Sequence, residues 1–263
     1  EDAGINVSDI DMILLATMTP DTMLPNNASI IQKNIGAINA TCFDINAACS
    51  GFLFALNTAN AYLVSGMYKN ILIIGAETLS KIVDWSDRAS CVLFGDGAGA
   101  MVVTADDTKA FYSVSGSDGS KGHVLTGGAT LLKNMLVNSD ETNIMTDNYY
   151  MHMDGQEVFK FAVTKVPECI NEVLTKANLT AEDIDCFILH QANVRIISSV
   201  AKRLGVSPDK LPINLNKYGN TSAATIPILF DELKKSGSLD NAKRVIFSGF
   251  GGGLTWGASL VEL

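Results

Sequence analysis

Two stretches of this chain repeat one another, and that repeat limits its possible folds more than any other feature. Asp9-Ile10-Asp11-Met12-Ile13-Leu14-Leu15 and Asp183-Ile184-Asp185-Cys186-Phe187-Ile188-Leu189 each follow a polar turn and read as buried strands, at an offset of 174 residues (Asp9 to Asp183). The same offset relates Lys69-Asn70-Ile71-Leu72-Ile73-Ile74-Gly75 to Lys243-Arg244-Val245-Ile246-Phe247-Ser248-Gly249. A long helix-period segment precedes each of the latter pair, ending at Ser65-Gly66 and at Ser236-Gly237. Each half closes with a glycine-rich turn feeding a short apolar strand, Gly95–Gly99 before Met101–Val103 and Gly251–Gly253 before Leu260–Val261. Strands alternating with helices imply parallel or mixed sheets under helical layers. Two such units in one chain predict an α/β protein of five layers, αβαβα, with pseudo-twofold symmetry and halves at residues 1–110 and 111–263.

Apolar residues make up 47% of the chain and charged residues 18%, against a usual charged share of about 25%, which suits helices covered on more than one side. The net charge of −9 argues against nucleic acid as a partner, since that needs clustered positive charge. An acidic partner must be met by a local basic patch. Five cysteines without repeated spacing make neither a disulfide framework nor a metal site. The chain therefore reads as a cytoplasmic protein with reduced thiols, no metal and no cofactor. It opens on no signal peptide and has no uncharged apolar run of about 18 residues to enter a membrane.

Cys49 lies in Ala47-Ala48-Cys49-Ser50-Gly51, after the strand-like Thr41–Asn46 and before the apolar segment Gly51–Val64. A thiol at a strand-to-helix turn faces the positive end of the helix dipole, which is expected to lower its pKa. Taken alone, such a cysteine is more often a small buried hydrophobe. Cys42, Cys91, Cys169 and Cys186 have no comparable setting and are assigned to the core. His190 follows a buried strand at its carboxyl end, where open α/β sheets place their sites. Asn220 precedes Thr221–Leu233, and an asparagine there is most often a cap. Aligning the two long helices by their Ser-Gly ends, an offset of 171 (Ser65 to Ser236), brings Cys49 onto Asn220 and puts both at equivalent helix starts near the pseudo-twofold axis. Neither glycine-rich turn has the nucleotide-binding spacing. Gly95–Gly99 reads as close backbone packing, and Gly251-Gly252-Gly253 could supply N–H groups near Cys49 for an oxyanion.

Together, Ala47-Ala48-Cys49-Ser50-Gly51, Phe94–Ala100, His190-Gln191-Ala192-Asn193, Gly219-Asn220-Thr221-Ser222-Ala223 and Phe250–Gly257 resemble β-ketoacyl-acyl-carrier-protein synthase III, from one end of the chain to the other and in order. The resemblance implies a thiolase fold and the initiating condensation of dissociated fatty acid synthesis. A short acyl-CoA primer would be joined to malonyl-acyl-carrier-protein, with decarboxylation, through an acyl-cysteine. It implies Cys49, His190 and Asn220 as the catalytic set and the backbone N–H groups of Cys49 and Gly252 as oxyanion hole. Phe250 would be the aromatic residue beside the cysteine. The coenzyme A contacts it implies are Arg88 at the adenine end and Met153, Gly155, Val158, Phe159, Asn193 and Arg195 along a tunnel. Leu24 falls where the family often has a phenylalanine reaching into the partner subunit's acyl pocket.

The amphipathic stretch Asn193–Leu204, with Val194, Ile197, Ala201 and Leu204 inward, carries Arg195, Lys202 and Arg203 outward, a carrier-protein docking surface or a solvated helix face. The resemblance also implies a homodimer paired through Thr41–Asn46. Family members are longer at the N-terminus, by a stretch that normally carries the first strand and a tryptophan at the adenine. The expectation is that this part is present separately or that the chain is a shortened form. Its counterpart in the second half would lie within about residues 111–180. Two other readings remain: a synthase III-like enzyme of secondary metabolism, and a non-catalytic partner subunit, which the presence of all three catalytic residues disfavours.

Overall fold

The computed structural model describes residues 2–127 and 150–263, so that part of the expected 111–180 counterpart lies outside the described residues. The repeat is visible in strand register. The apolar run Met12–Ala16 is β1, buried at all five positions. It lies between β2 (Thr41–Ile45) and β3 (Asn70–Glu77), parallel to both, and β4 (Gly97–Thr104) adds antiparallel to β3. β5 (Phe111–Ser117) opens the second sheet, and the short β6 (Leu125–Thr126) pairs with β7 (His152–Met153). The second sheet continues with β8 (Cys186–Leu189), β9 (Arg244–Gly251) and β10 (Thr255–Glu262), in the order β5-β10-β9-β8. Met12 faces Ile71 in the first sheet and Cys186 faces Val245 in the second, the same pairing displaced by 174 at both partners.

The repeated acidic turns explain how that register is held. Asp11 Oδ2 accepts from the N–H groups of Lys69 (2.8 Å) and Asn70 (3.0 Å). Asp185 Oδ2 does the same for Lys243 (2.8 Å) and Arg244 (2.9 Å). In each half a carboxylate at the foot of one strand ties down the start of its parallel neighbour, and charge-assisted bonds of this kind are the stronger ones.

Helices fill three layers. α1 (Asn27–Ile35) covers the outer face of the first sheet, with Ala28 packed on Ile13, Leu15 and Ile74. α2 (Gly51–Val64) lies between the sheets, where Phe52, Leu53, Ala55, Leu56 and Ala59 are buried. A helix with sheets on both sides needs no continuous polar stripe, which suits the apolar run Phe52–Leu56; the polar Asn57, Thr58 and Asn60 that follow are half-buried. α3 (Gly155–Ala177) and α4 (Val194–Leu204) cover the second sheet from outside. The one-turn α5 (Leu215–Tyr218) leads to α6 (Thr225–Lys235), which joins α2 in the middle layer. The predicted five-layered, pseudo-twofold α/β arrangement is therefore the observed one. Among the described residues no helix is long and apolar enough to cross a membrane.

Three expectations need correction. α6 is 11 residues long against 14 for α2, so aligning the helices by their ends shifts the register of their starts by three. The turn Ala48–Ser50 before α2 corresponds, at the constant offset of 174, to Ser222–Ala224 before α6. Cys49 is thus the counterpart of Ala223, and Asn220 that of Asn46. The second correction concerns α4, where Ile196, Ile197, Val200 and Ala201 are buried and Val194 is 47% exposed. Val194, expected inward, is the first helical residue and lies at the exposed end of the helix. Third, Cys169 and Cys186 are core residues, but Cys42 and Cys91 are only half-buried.

Candidate active site

The two equivalent turns meet where the central helices begin. In the first, the Ala48 N–H donates to Asn46 Oδ1 (3.2 Å). In the second, the Ser222 N–H donates to Asn220 Oδ1 (2.9 Å). Ala48 and Ser222 both take positive φ, 47° and 50°, a conformation costing an L-residue roughly 1–2 kcal/mol. The tight turn is what sets Cys49 and Ala223 at corresponding points beside the axis. Strand ends press on both. Gly249 packs on the Cys49 carbonyl, and its counterpart Gly75 packs so closely on Ala223 that a Cβ would stand 2.3 Å from the Ala223 oxygen. A Cβ on Gly251 would stand 2.7 Å from Cys49 N.

Asn220 is also strapped from outside. Its N–H donates to the Leu93 oxygen (2.9 Å), and its carbonyl accepts from Gly95 N–H (3.0 Å). Gly95 has no room for a side chain, because a Cβ would meet the Tyr218 oxygen at 2.2 Å. Close packing is the role of this glycine run, but Gly97–Gly99, expected as part of a turn, already belong to β4 and pack on Thr221, Pro227 and Ile228, so it is Gly95 that holds the asparagine. With Oδ1 committed to Ser222, the Asn220 amide nitrogen is left to donate elsewhere.

His190 follows β8, its N–H bonded to the Ser248 oxygen (2.8 Å). Its ring lies edge-on to Phe250, with centroids 5.3 Å apart, and Nδ1 is 2.7 Å from Thr225 Oγ1. Burial pulls the imidazole from 6.5 down to about 3, so it is neutral across the physiological range. Cys49 departs from expectation. Its thiol is pushed up from 9.0 to about 12, first by burial; a Ser222 hydrogen bond opposes the rise and Glu77 adds to it. The thiol keeps its proton at neutral pH, because loss of water around a thiolate is the largest influence on it.

Cys49, His190, Asn220, Phe250, Gly251 and Gly252 line one cavity of about 680 Å³. A second cavity, about 450 Å³, is lined by Met153, Gly155, Val158, Phe159, Asn193 and Arg195. The two share Phe94, Met153, Val158, Ala192 and Asn220, which makes the second an antechamber to the first. Asn193 caps α4 by accepting from Arg195 N–H (2.8 Å), and this seats Arg195 on the antechamber wall. Lys202 and Arg203 are exposed further along α4. Arg88 and Leu24 line neither cavity, and Leu24 is 88% exposed. Sequence reasoning missed Glu77, Ser222 and Thr225. Holding the offset at 174 would have found the first, because the glutamate ending β3 then falls opposite Gly251, already placed near Cys49.

The family model described as 3-oxoacyl-[acyl-carrier-protein (ACP)] synthase III matches residues 43–119, and that of its C-terminal part matches 174–263. A protein of Clostridium acetobutylicum named beta-ketoacyl-[acyl-carrier-protein] synthase III is 48% identical over 263 residues, all of this chain and 80% of that protein. The chain belongs to the β-ketoacyl-acyl-carrier-protein synthase III family. The same-named protein of Streptococcus mutans is 47% identical, over 99% of this chain and 80% of its own length. The crystal structure of 3-oxoacyl-[acyl-carrier-protein] synthase III from Aquifex aeolicus superposes with a TM-score of 0.89 at 41% identity, covering all of this chain and 80% of that one. The chain accordingly has the thiolase fold of that family and is an acyltransferase, the initiating condensing enzyme of fatty acid synthesis.

Proposed function

We propose that Cys49 carries the acyl group, and that His190 and Asn220 stabilise the enolate formed from the second substrate. The observation carrying this reading is the cavity that Cys49, His190 and Asn220 line together, entered through the antechamber at Arg195. The Cys49 sulfur attacks the thioester of a short acyl-CoA. The new C–S bond forms as the bond to coenzyme A breaks, and the thiol proton leaves with the coenzyme A sulfur. The tetrahedral oxygen accepts from the Cys49 and Gly252 N–H groups. Malonyl-acyl-carrier-protein follows, and its C–CO₂ bond breaks. The electron pair becomes an enolate whose oxygen accepts from Asn220 Nδ2 and His190 Nε2. The enolate carbon then attacks acyl-Cys49 and releases the cysteine as a thiolate, which regains its proton from solvent, and no cofactor is needed.

This role specifies the imidazole tautomer. Thr225 Oγ1 has one proton and two acceptors within reach, His190 Nδ1 at 2.7 Å and the Ser222 carbonyl at 2.9 Å. Given to Nδ1, that proton leaves the ring hydrogen on Nε2, where a neutral imidazole is a donor. A pKa of about 3 suits such a donor, which must not take up a proton itself.

The antechamber residues hold coenzyme A, with Arg88 at its adenine end. Arg195, Lys202 and Arg203 receive the acidic carrier protein. The reading includes a cytoplasmic homodimer joined through β2, the outer strand of the first sheet, with Leu24 at the partner's acyl pocket. The test is intact-mass detection of an acyl adduct that Cys49→Ser abolishes, combined with a condensation assay on malonyl-acyl-carrier-protein. Condensation by Asn220→Ala at the parent's rate would overturn the assignment.

A further inference from the structure

A carboxylate sits under the Asn220 turn, outside both cavities. Glu77, the last residue of β3, is 4% exposed. Its Oε2 accepts from Thr19 Oγ1 (2.7 Å) and Thr17 Oγ1 (3.4 Å), and the Met18 N–H reaches both oxygens (3.3 and 3.2 Å). Its Oε1 accepts from Ser222 Oγ (3.1 Å). Three donors from the end of β1 thus anchor the carboxylate in the first half, and it extends one bond into the second. Ser222 is a branch point. Its N–H holds the Asn220 amide at 2.9 Å, and its carbonyl lies 2.9 Å from the Thr225 hydroxyl, which in turn meets His190 Nδ1 at 2.7 Å. Ser222, held at positive φ, therefore orients the proposed enolate donor Asn220 directly.

The pseudo-symmetry marks Glu77 as more than a general support. Its counterpart at the offset of 174 is Gly251, which has no side chain and whose backbone packs directly on Cys49. The same turn occurs twice, and only the copy carrying Asn220 is gripped by a carboxylate side chain.

We infer that Glu77 is a positioning residue for the condensing half-reaction, fixing Asn220 through its hydrogen bond from Ser222. This rests on the enolate role proposed for Asn220. Reach, rather than charge, is what the geometry asks of the side chain. In Glu77→Gln the amide oxygen can replace Oε1 toward Ser222 and Met18, while its NH₂ donates to the Thr17 and Thr19 hydroxyls. Glu77→Asp keeps the charge but withdraws it from Ser222.

The experiment measures both half-reactions separately on the whole protein, as acyl-Cys49 formation from acyl-CoA and as condensation by pre-acylated enzyme with malonyl-acyl-carrier-protein. Glu77→Asp is expected to lose at least tenfold in condensation kcat with KM little changed, while acylation stays within threefold of the parent. Glu77→Gln should stay within threefold in both. Loss of acylation and condensation in parallel, or condensation by Glu77→Asp at the parent's rate, would overturn the inference, and neither result requires the more drastic Glu77→Ala to fold. Asn220→Ala, assayed alongside, separates the two claims. If it loses condensation while Glu77→Asp does not, the positioning role fails and the site reading stands. If it condenses normally, both fail.

Discussion

Gly249 and Gly251 lie two residues apart on β9, both buried against the Cys49 turn, yet they should respond oppositely to the same added methyl group. In Gly251→Ala the Cβ would meet Cys49 N at 2.7 Å, Cys49 Cβ at 3.1 Å and Cys49 Cα at 3.2 Å. These are rigid atoms, so the cysteine must retreat by about 0.7 Å, the difference between 2.7 Å and an ordinary 3.4 Å contact. A misplacement of about 1 Å costs on the order of 10²-fold where reacting atoms must be aligned. Acylation should therefore fall roughly ten- to a hundredfold, with about 1–3 kcal/mol of overpacking strain. In Gly249→Ala the nearest atoms are the Cys49 oxygen and Ile226 Cδ1, both at 3.6 Å, an ordinary contact, and neither glycine needs a positive φ. Quenched-flow intact mass on an acyl-CoA, with thermal melts, gives both quantities. Acylation by Gly251→Ala within threefold of the parent, or equal impairment of the two variants, would refute the argument that this strand end sets the thiol's position.

Gly95→Ala should lose more than tenfold in condensation and less than threefold in acylation, because its Cβ strikes the Tyr218 oxygen at 2.2 Å on the strap that holds Asn220, not Cys49; the two half-reactions assayed separately will show it. Lys202→Glu and Arg203→Glu should raise KM for malonyl-acyl-carrier-protein without affecting acylation, whereas Arg195→Glu, on the antechamber wall, should impair both steps. The unfolded chain protonates His190 near pH 6.5 and the native state only near 3. The stabilisation from keeping it neutral is thus present above pH 6.5 and lost as pH falls from there toward 3, by about 2 kcal/mol at pH 5. Denaturant titrations at pH 7 and pH 5 should show that difference shrinking in His190→Gln.

How much of this was legible in sequence depended on which part of each repeat was compared. Strands carried the offset faithfully, because a strand paired in register cannot gain or lose a residue without turning its side chains to the other face; Met12 opposite Ile71 and Cys186 opposite Val245 show the result. Helix ends carried no such constraint. α6 could stop a turn short of α2 without disturbing its own start, so matching the two Ser-Gly ends paired Cys49 with Asn220 by accident. The thiol's raised pKa was hidden for another reason: local sequence reveals the helix start behind Cys49, but the burial that dominates depends on packing from elsewhere in the chain, Gly251 included. At the corrected register the comparison becomes more informative, because the site lies where equivalent positions disagree. Asn46 and Asn220 agree and build the same turn. Cys49 against Ala223 puts a nucleophile on one copy only, and Gly251 against Glu77 braces one copy only with a carboxylate. A duplicated fold can place two identical turns at its axis by symmetry alone, but a reaction that needs a nucleophile on one side and a pair of fixed donors on the other requires these substitutions to differ. That is the physical reason to expect Glu77 to weigh more on the donors' half-reaction than on acylation, where its influence on Cys49 is secondary to burial.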